Sequence, residues 1–324
     1  MGEKENIMRI KDLSKIKEIY EKGNNIVKWI KEQEQRAENN VEDILISYDF
    51  QAGTYYDLYV NKATDFDYSL SHSKVAANIQ KYLNLIVNDR SASAQENRIT
   101  MMECGVGEAT TLSGILNNMD ISNLSLIYGF DISWSRIKYA DKCLKVMNTK
   151  EAYNKIQLFA ADMFHIPLKD NSIDLVYTNH SAEPNGGKEK AILEELYRVS
   201  KEYLVLIEPA YELAEDEARN RMKEQGYVTC LYDTAIDLGY NILSYELLNA
   251  DINQLNPAGV MVIKKGTMKG NEPKLCCPIT KQYLEKQNDV MYCKESYLAY
   301  PILKEVPCLL EDNAILVTKW EKFE

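Results

Sequence analysis

The sequence predicts an α/β fold: a parallel sheet covered by helices on both faces, with helices before it and a small β-rich module behind it. Three observations carry this. Between Ile99 and Gln225, short apolar runs alternate with helical stretches long enough to cross from one parallel strand to the next. The apolar runs are near-continuous, as in strands buried on both faces. After Gly239 the alternation gives way to strand-like runs alone.

Taken in order, Ile10, Leu13, Ile16, Ile19 and Tyr20 recur at helical spacing and predict amphipathic helices, broken near Asn39 to Val41. Ser47 to Val60 (SYDFQAGTYYDLYV) is aromatic-rich and reads as irregular, and a charged helix follows from Ser73 to Leu85. The strand Ile99 to Cys104 runs into Gly105-Val106-Gly107 and a helix from Ala109 to Asn117. Leu124 to Phe130 is a strand ending at Asp131, with a helix from Trp134 to Met147. Strands follow at Ile156 to Ala160 and Ile173 to Thr178, then a helix at Lys188 to Val199. Tyr203 to Glu208 is the next strand and Glu212 to Gln225 the next helix. Ile242 to Leu248 and Gly259 to Lys264 suit an antiparallel pair at the sheet's edge. Lys265 to Pro273 (KGTMKGNEP) has the glycines and proline of a boundary, and Leu275 to Glu324 is compact, Cys-bearing and β-like.

Charge and length narrow the function classes. The chain has 324 residues with 38 Lys and Arg against 49 Asp and Glu, a formal charge of −11. Phosphate-backbone affinity comes from clustered Lys and Arg, so no nucleic-acid partner is expected. No window holds the roughly 18 consecutive apolar residues of a membrane-spanning helix, so no membrane partner is expected either. Met1 to Tyr20 lacks the apolar core of a signal peptide, and Asn6 stands where a myristoylation signal at Gly2 needs Ser or Thr. Seven cysteines, an odd number, fit a reduced compartment better than a disulfide framework, and the cytoplasm is expected.

Candidate chemistry gathers at the strand ends. Glu103-Cys104-Gly105-Val106-Gly107-Glu108-Ala109 between strand and helix is a nucleotide-binding turn, in which glycines allow close backbone approach. Asp131, 24 residues after Gly107, stands where an acid accepts from both ribose hydroxyls. The bland alternatives are a plain tight turn and an N-cap aspartate. A dinucleotide is disfavoured, because Glu103 would repel a pyrophosphate but suits a ligand carrying an ammonium group. Asp162 after the third strand is placed to accept from an adenine amino group, with Met163 against the ring.

These residues resemble the class I S-adenosylmethionine-dependent methyltransferases of the small-molecule type. The carriers are MECGVGEATT, GFDIS, AADMFHIPLKDNSIDLVYTN and LEELYRVSKEYLVLIEP. Most specific is a run similar to the family's Asp-x-x-x-x-Pro-Phe-x-Asp-x-Ser-Phe-Asp-x-Val, here Asp162, Pro167, Leu168, Asp170, Ser172, Ile173, Asp174 and Val176. The resemblance implies a Rossmann-like, seven-stranded sheet whose last strand is antiparallel. It implies S-adenosyl-L-methionine as cofactor, with Glu103, Gly105 and Gly107 at the methionine end, Asp131 and Ile132 at the ribose, Asp162 and Met163 at the adenine, and Asn179 completing the site. It also places Thr178 to Gly187 on the acceptor side, where His180 is the candidate base and Glu183 the residue that orients it. The bland reading is that His180 packs beside the cofactor. No Asn/Asp-Pro-Pro-Tyr signature of amino-group methylation is present, which tilts the acceptor towards a hydroxyl or carboxyl.

Tyr48, Phe50, Tyr55 and Tyr56 either wall the site, where they can meet the sulfonium by cation–π attraction, or belong to the core. His72 and His165 read as loop or surface residues. The C-terminal run, with Leu275-Cys276-Cys277-Pro278, Tyr292-Cys293 and Tyr300-Pro301-Ile302, resembles the small zinc-ribbon-like proteins that activate methyltransferases acting on tRNA and release factors. Those carry Cys-x-x-Cys twice; here the positions read Cys277, Thr280, Cys293 and Ser296, and no metal is expected. The expected divisions are a helical cap at 1–97, the methyltransferase domain at 98–266 and a metal-free ribbon-like module at 274–324. The cap and the module are expected to frame a small-molecule or glycan acceptor, methylated on oxygen. The rivals are methylation of tRNA or a protein, and a non-catalytic cofactor-binding scaffold.

Overall fold

Side-chain caps set where the N-terminal helices begin. Asn25 accepts from the Lys28 N–H at 2.9 Å and opens the helix Ile26–Glu34. Asn40 and Asp43 form a reciprocal capping box that opens Val41–Gln51. The computed structural model describes residues 13–36, 38–61, 66–89, 99–248, 254–266 and 269–322, so the expectations on Gly2, Asn6 and Ile10 lie outside the described residues. The expected irregular run Ser47 to Val60 is instead helical almost throughout: Val41–Gln51, a turn at Thr54–Tyr56 and a π-helical turn at Asp57–Asn61. Its aromatic residues lower helix propensity only slightly, and the capping box outweighs them.

Seven strands form one sheet: β1 (Ile99–Cys104), β2 (Leu124–Asp131), β3 (Ile156–Ala160), β4 (Ile173–Asn179), β5 (Ser200–Pro209), β6 (Ile242–Leu247) and β7 (Ala258–Lys264). Their order is β3-β2-β1-β4-β5-β7-β6. β1 to β5 are parallel, and β7 lies antiparallel between β5 and β6, as the edge pair required. Alternate residues face opposite sides of the sheet. Met102, Phe130, Val176 and Leu204 pack on one side with the helices Glu189–Val199 and Leu231–Asp237. Met101, Ile127, Leu175 and Val205 pack on the other with the helices Phe66–Asp89, Thr110–Asn117 and Trp134–Met147. Two helices differ from expectation. Glu212 to Gln225 is split at Ala214, whose backbone is extended, leaving a 3-10 turn at Tyr211–Leu213 and the helix Asp216–Gln225. Leu231–Asp237 was not foreseen. No helix among the described residues is long and apolar enough to cross a membrane.

The C-terminal strands, β8 (Glu285–Gln287), β9 (Val290–Cys293), β10 (Leu298–Leu303), β11 (Val306–Pro307) and β12 (Ile315–Leu316), form a small antiparallel sheet. Its apolar residues Cys277, Tyr300 and Leu309 join the same cluster as Phe130 and Phe159. The Leu309 N–H donates to the Ala160 carbonyl at 2.7 Å, and Cys308 bridges Ala160 in parallel, so this segment covers the end of the edge strand β3. Leu309 is fully buried in that shared cluster. Leu309→Ala is expected to lower stability by about 2–4 kcal/mol in urea unfolding, through one cooperative transition. A separate early transition, with the rest of the curve unmoved, would show that the C-terminal sheet unfolds by itself.

Candidate functional site

Parallel order reverses at β1, which pairs with both β2 and β4, and such sheets bind ligands in the crevice beyond the carboxyl ends of those strands. A cavity of about 610 Å³ lies there. Glu103, Gly105, Gly107, Asp131 and Ile132 line one part of its wall, and Asp162, Met163, Asn179, His180 and Glu183 another. All ten candidate residues therefore meet at one cavity.

Glu103 ends β1 at 1% exposure and accepts from the Tyr177 hydroxyl at 2.7 Å. Burial pushes its carboxyl up to about 8, against the pull of that hydrogen bond. Gly105 is required by space as well as by its positive φ of 73°, since a Cβ there would sit 2.3 Å from that of Ser181. Asp131 accepts from the N–H groups of Gly107 at 3.0 Å and Ser133 at 2.9 Å. Burial raises its pKa, while Arg136 and these two bonds act to lower it. Asp162 accepts from the Phe164 N–H at 3.0 Å, and burial raises its pKa too.

His180 leaves β4 with φ 53°, and its ring, 38% exposed, opens onto the cavity. Nδ1 lies 2.9 Å from Glu183 Oε2. Burial acts to lower the imidazole pKa, and the Glu183 hydrogen bond and charge outweigh it, so the net direction is upward.

The aromatic residues of the N-terminal segment divide. Tyr48 and Tyr55 line the cavity, whereas Phe50 packs on Tyr20 at 6.1 Å and Tyr56 on Tyr139 at 5.7 Å. The expectation for His72 is corrected: it is 4% exposed, lines the cavity and hydrogen-bonds the Tyr59 hydroxyl. Gly114 makes the room, since a Cβ there would meet the His72 ring at 2.2 Å. His165 is a loop residue, nearly half exposed. A second correction concerns the C-terminal module, which was expected to frame the acceptor pocket: the described lining residues end at Ala258, and no described residue of the module is among them.

Three residues without an assigned role hold the segment in place. Glu108, at the glycine turn, accepts from the N–H groups of Gly53 at 3.0 Å and Tyr56 at 2.6 Å. Asp49 accepts from the Ser133 hydroxyl at 2.7 Å. Arg136 donates to the Tyr48 carbonyl at 3.2 Å, with its guanidinium 4.2 Å from the Tyr48 ring centre. Glu108 lies inside the glycine turn itself, which was its only signal in the sequence.

Residues 95–269 match the family model described as a methyltransferase domain. The chain belongs to the methyltransferase domain family. Among solved structures, this methyltransferase is similar to magnesium protoporphyrin IX methyltransferase from Synechocystis PCC 6803 with bound SAH. The identity is 15%, the TM-score 0.47, and 68% of this chain and 99% of that chain are covered. It is also similar to geranyl diphosphate C-methyltransferase from Streptomyces coelicolor A3(2), at 9% identity, TM-score 0.42, and 59% and 77% coverage. A 46-residue stretch is 44% identical to a UPF0434 protein of Francisella tularensis subsp. novicida (strain U112), covering 14% of this chain and 74% of that protein. The methyltransferase therefore carries a UPF0434 segment.

The methyltransferase uses S-adenosylmethionine as methyl donor, and its cavity fits that molecule. The turn is bare of Cβ at Gly105, and carboxylates stand at the ends of β1, β2 and β3. If Glu103 meets the donor's ammonium group, that charge will favour the carboxylate over the neutral form which dominates below about 8. Binding at pH 7 is then expected to release about one proton, seen as a buffer-dependent binding enthalpy in calorimetry. Glu103→Gln is expected to abolish the release and weaken binding; equal release by both proteins would remove Glu103 from the ammonium site.

Proposed function

We propose that this enzyme transfers a methyl group to a hydroxyl of an uncharged small molecule, such as a sugar or glycan precursor. The observation that carries the reading is the His180–Glu183 pair on the cavity wall. Among the described lining residues the one Lys or Arg is Arg136, engaged with Tyr48. An anionic acceptor would meet Glu183 with no lysine beside it, whereas a polyol suits the faces of Tyr48 and Tyr55 and the polar groups of Glu183 and Asn185. In this reading the cofactor is held by Glu103, Gly105, Gly107, Asp131, Ile132, Asp162, Met163 and Asn179, in the roles given above. S-adenosylmethionine supplies an electrophilic methyl group on a sulfonium. Tyr48 and Tyr55 exclude water from the cavity mouth. Glu183 holds His180 Nδ1–H, which leaves Nε2 to take the acceptor's proton.

In the same reading, 98–266 is the catalytic domain, 1–97 its cap, and 274–324 the UPF0434-like module, a zinc ribbon without its metal. Cys277 already bonds the Tyr300 hydroxyl at 3.1 Å and accepts from the Thr280 N–H at 3.4 Å, so a residue at a former ligand position now donates to the thiol. All seven cysteines are free, which suits a reducing cytoplasm.

The test begins with calorimetric titration of S-adenosylmethionine and a screen of sugars and small metabolites for methyl acceptance. With an acceptor found, His180→Ala is expected to leave cofactor affinity intact and slow transfer about 10²-fold or more. A base works only when unprotonated, so the rate is expected to rise with pH through a midpoint above the ordinary histidine value, and Glu183→Gln to lower that midpoint. Wild-type turnover by His180→Ala would return His180 to a packing role.

A further inference from the structure

Glu208 is used by nothing described so far. It lies near the end of β5, is 3% exposed and does not line the cavity. One carboxylate oxygen accepts from the N–H groups of Ser181 and Ala182, each at 3.1 Å, and the other from the Glu183 N–H at 3.0 Å. The adjacent His180 N–H donates to the Ile207 carbonyl at 2.9 Å. Every N–H from His180 to Glu183 is thus satisfied by the end of β5. Successive N–H groups converging on one anion hold a backbone shape that a neutral side chain does not. That shape includes the left-handed φ of His180, which persists only where its surroundings impose it. A buried carboxylate is costly to place in a sheet end, and an apolar residue would fill the space without that cost. Glutamine would not serve, because its amide nitrogen would face an N–H donor.

We propose that Glu208 is a positioning residue, which fixes the loop leaving β4 so that His180 and Glu183 face the cavity in register with each other. The proposal rests on the reading of His180 as the base. Glu183 and Glu208 are the charged groups that face His180; Tyr48 and Tyr227 face Glu183, and Cys104 lies near Glu208. Both carboxylates act to raise the His180 pKa, so loss of the Glu208 charge has a defined sign.

The sequence contains three histidines, which makes the test direct. The full-length protein, labelled at histidine, is titrated by NMR as wild type, Glu208→Gln and Glu208→Asp, and amide exchange is followed at Ser181 to Glu183. In Glu208→Gln these amides are expected to exchange about tenfold faster or more, and His180 to titrate at lower pH than in wild type. His72 and the affinity for S-adenosylmethionine are expected to stay unchanged, and Glu208→Asp, which keeps the charge, to restore part of the His180 titration. Unaltered loop exchange and His180 titration would overturn the proposal. So would equal perturbation at His72, or loss of folding in both variants, either of which makes Glu208 a general structural residue. The base reading fails separately: wild-type turnover by His180→Ala removes the base and leaves the Glu208 result standing.

Discussion

Four carboxylates buried where strands end impose the constraint on which the rest of the site depends. Glu103, Asp131, Asp162 and Glu208 stand at or just after the ends of β1, β2, β3 and β5, and burial pushes all four pKa values up. A carboxylate taken from water loses several kcal/mol of solvation unless donors replace it. Here the donors are the Tyr177 hydroxyl and the N–H groups of Gly107, Ser133, Phe164, Ser181, Ala182 and Glu183. Six of the seven are backbone groups of the connecting loops, so satisfying these acids also shapes the loops. The glycine turn and the His180 loop each take their form from an acid on a neighbouring strand end, and the start of the Trp134–Met147 helix from the acid that closes its own strand.

The same dependence explains what the sequence could and could not reveal. β1 to β5 were legible because each is a short, largely apolar run set between helical stretches, and that pattern survives without tertiary contacts. Glu103, Asp131 and Asp162 were legible because they stand at or just after the ends of such runs. Glu208 looked like an ordinary strand end, because its partners lie 25 to 27 residues earlier and only the pairing of β4 with β5 brings them together. His72 sits on a helix of mostly charged appearance, and its burial depends on the missing side chain of Gly114, on a different helix. Tyr48 and Tyr56 could not be separated while Ser47 to Val60 read as irregular. Once the segment is helical, Tyr48 and Tyr55 turn to the cavity and Phe50 to Tyr20.

The N-terminal helices are joined to the cofactor side through charge as well as packing. Glu108 in the glycine turn caps the backbone at Gly53 and Tyr56, while Asp49 from the segment caps the helix start at Ser133 and Ser135. The exchange is reciprocal: each side supplies a carboxylate to the other, Glu108 to two N–H groups and Asp49 to the hydroxyls of Ser133 and Ser135 and the Ser135 N–H. Movement of the segment would strip donors from the buried Glu108, so the order of the glycine turn and the position of Tyr48 and Tyr55 are energetically linked.

The run most specific to the family turns out to be mostly structural. Of its residues Asp162 faces the cavity, whereas Asp174 accepts from the Thr100 N–H at 2.8 Å and ties β4 to β1. Asp170 pairs with Arg198, which also donates to the carbonyls of Leu168 and Ile166. The C-terminal module grips this same loop as well. Cys276 N–H donates to the Pro167 carbonyl at 2.9 Å, Lys281 reaches the Ile166 carbonyl at 3.1 Å, and Leu309 holds Ala160. The loop from Ala160 to Leu168 is therefore held by Arg198 and the module together while Asp162 and Met163 line the cavity. A module in that position stiffens the loop that carries Asp162 and Met163, whereas Tyr48 and Tyr55 of the N-terminal segment, with Leu248 and Asn256, line the cavity without touching that loop's clamp.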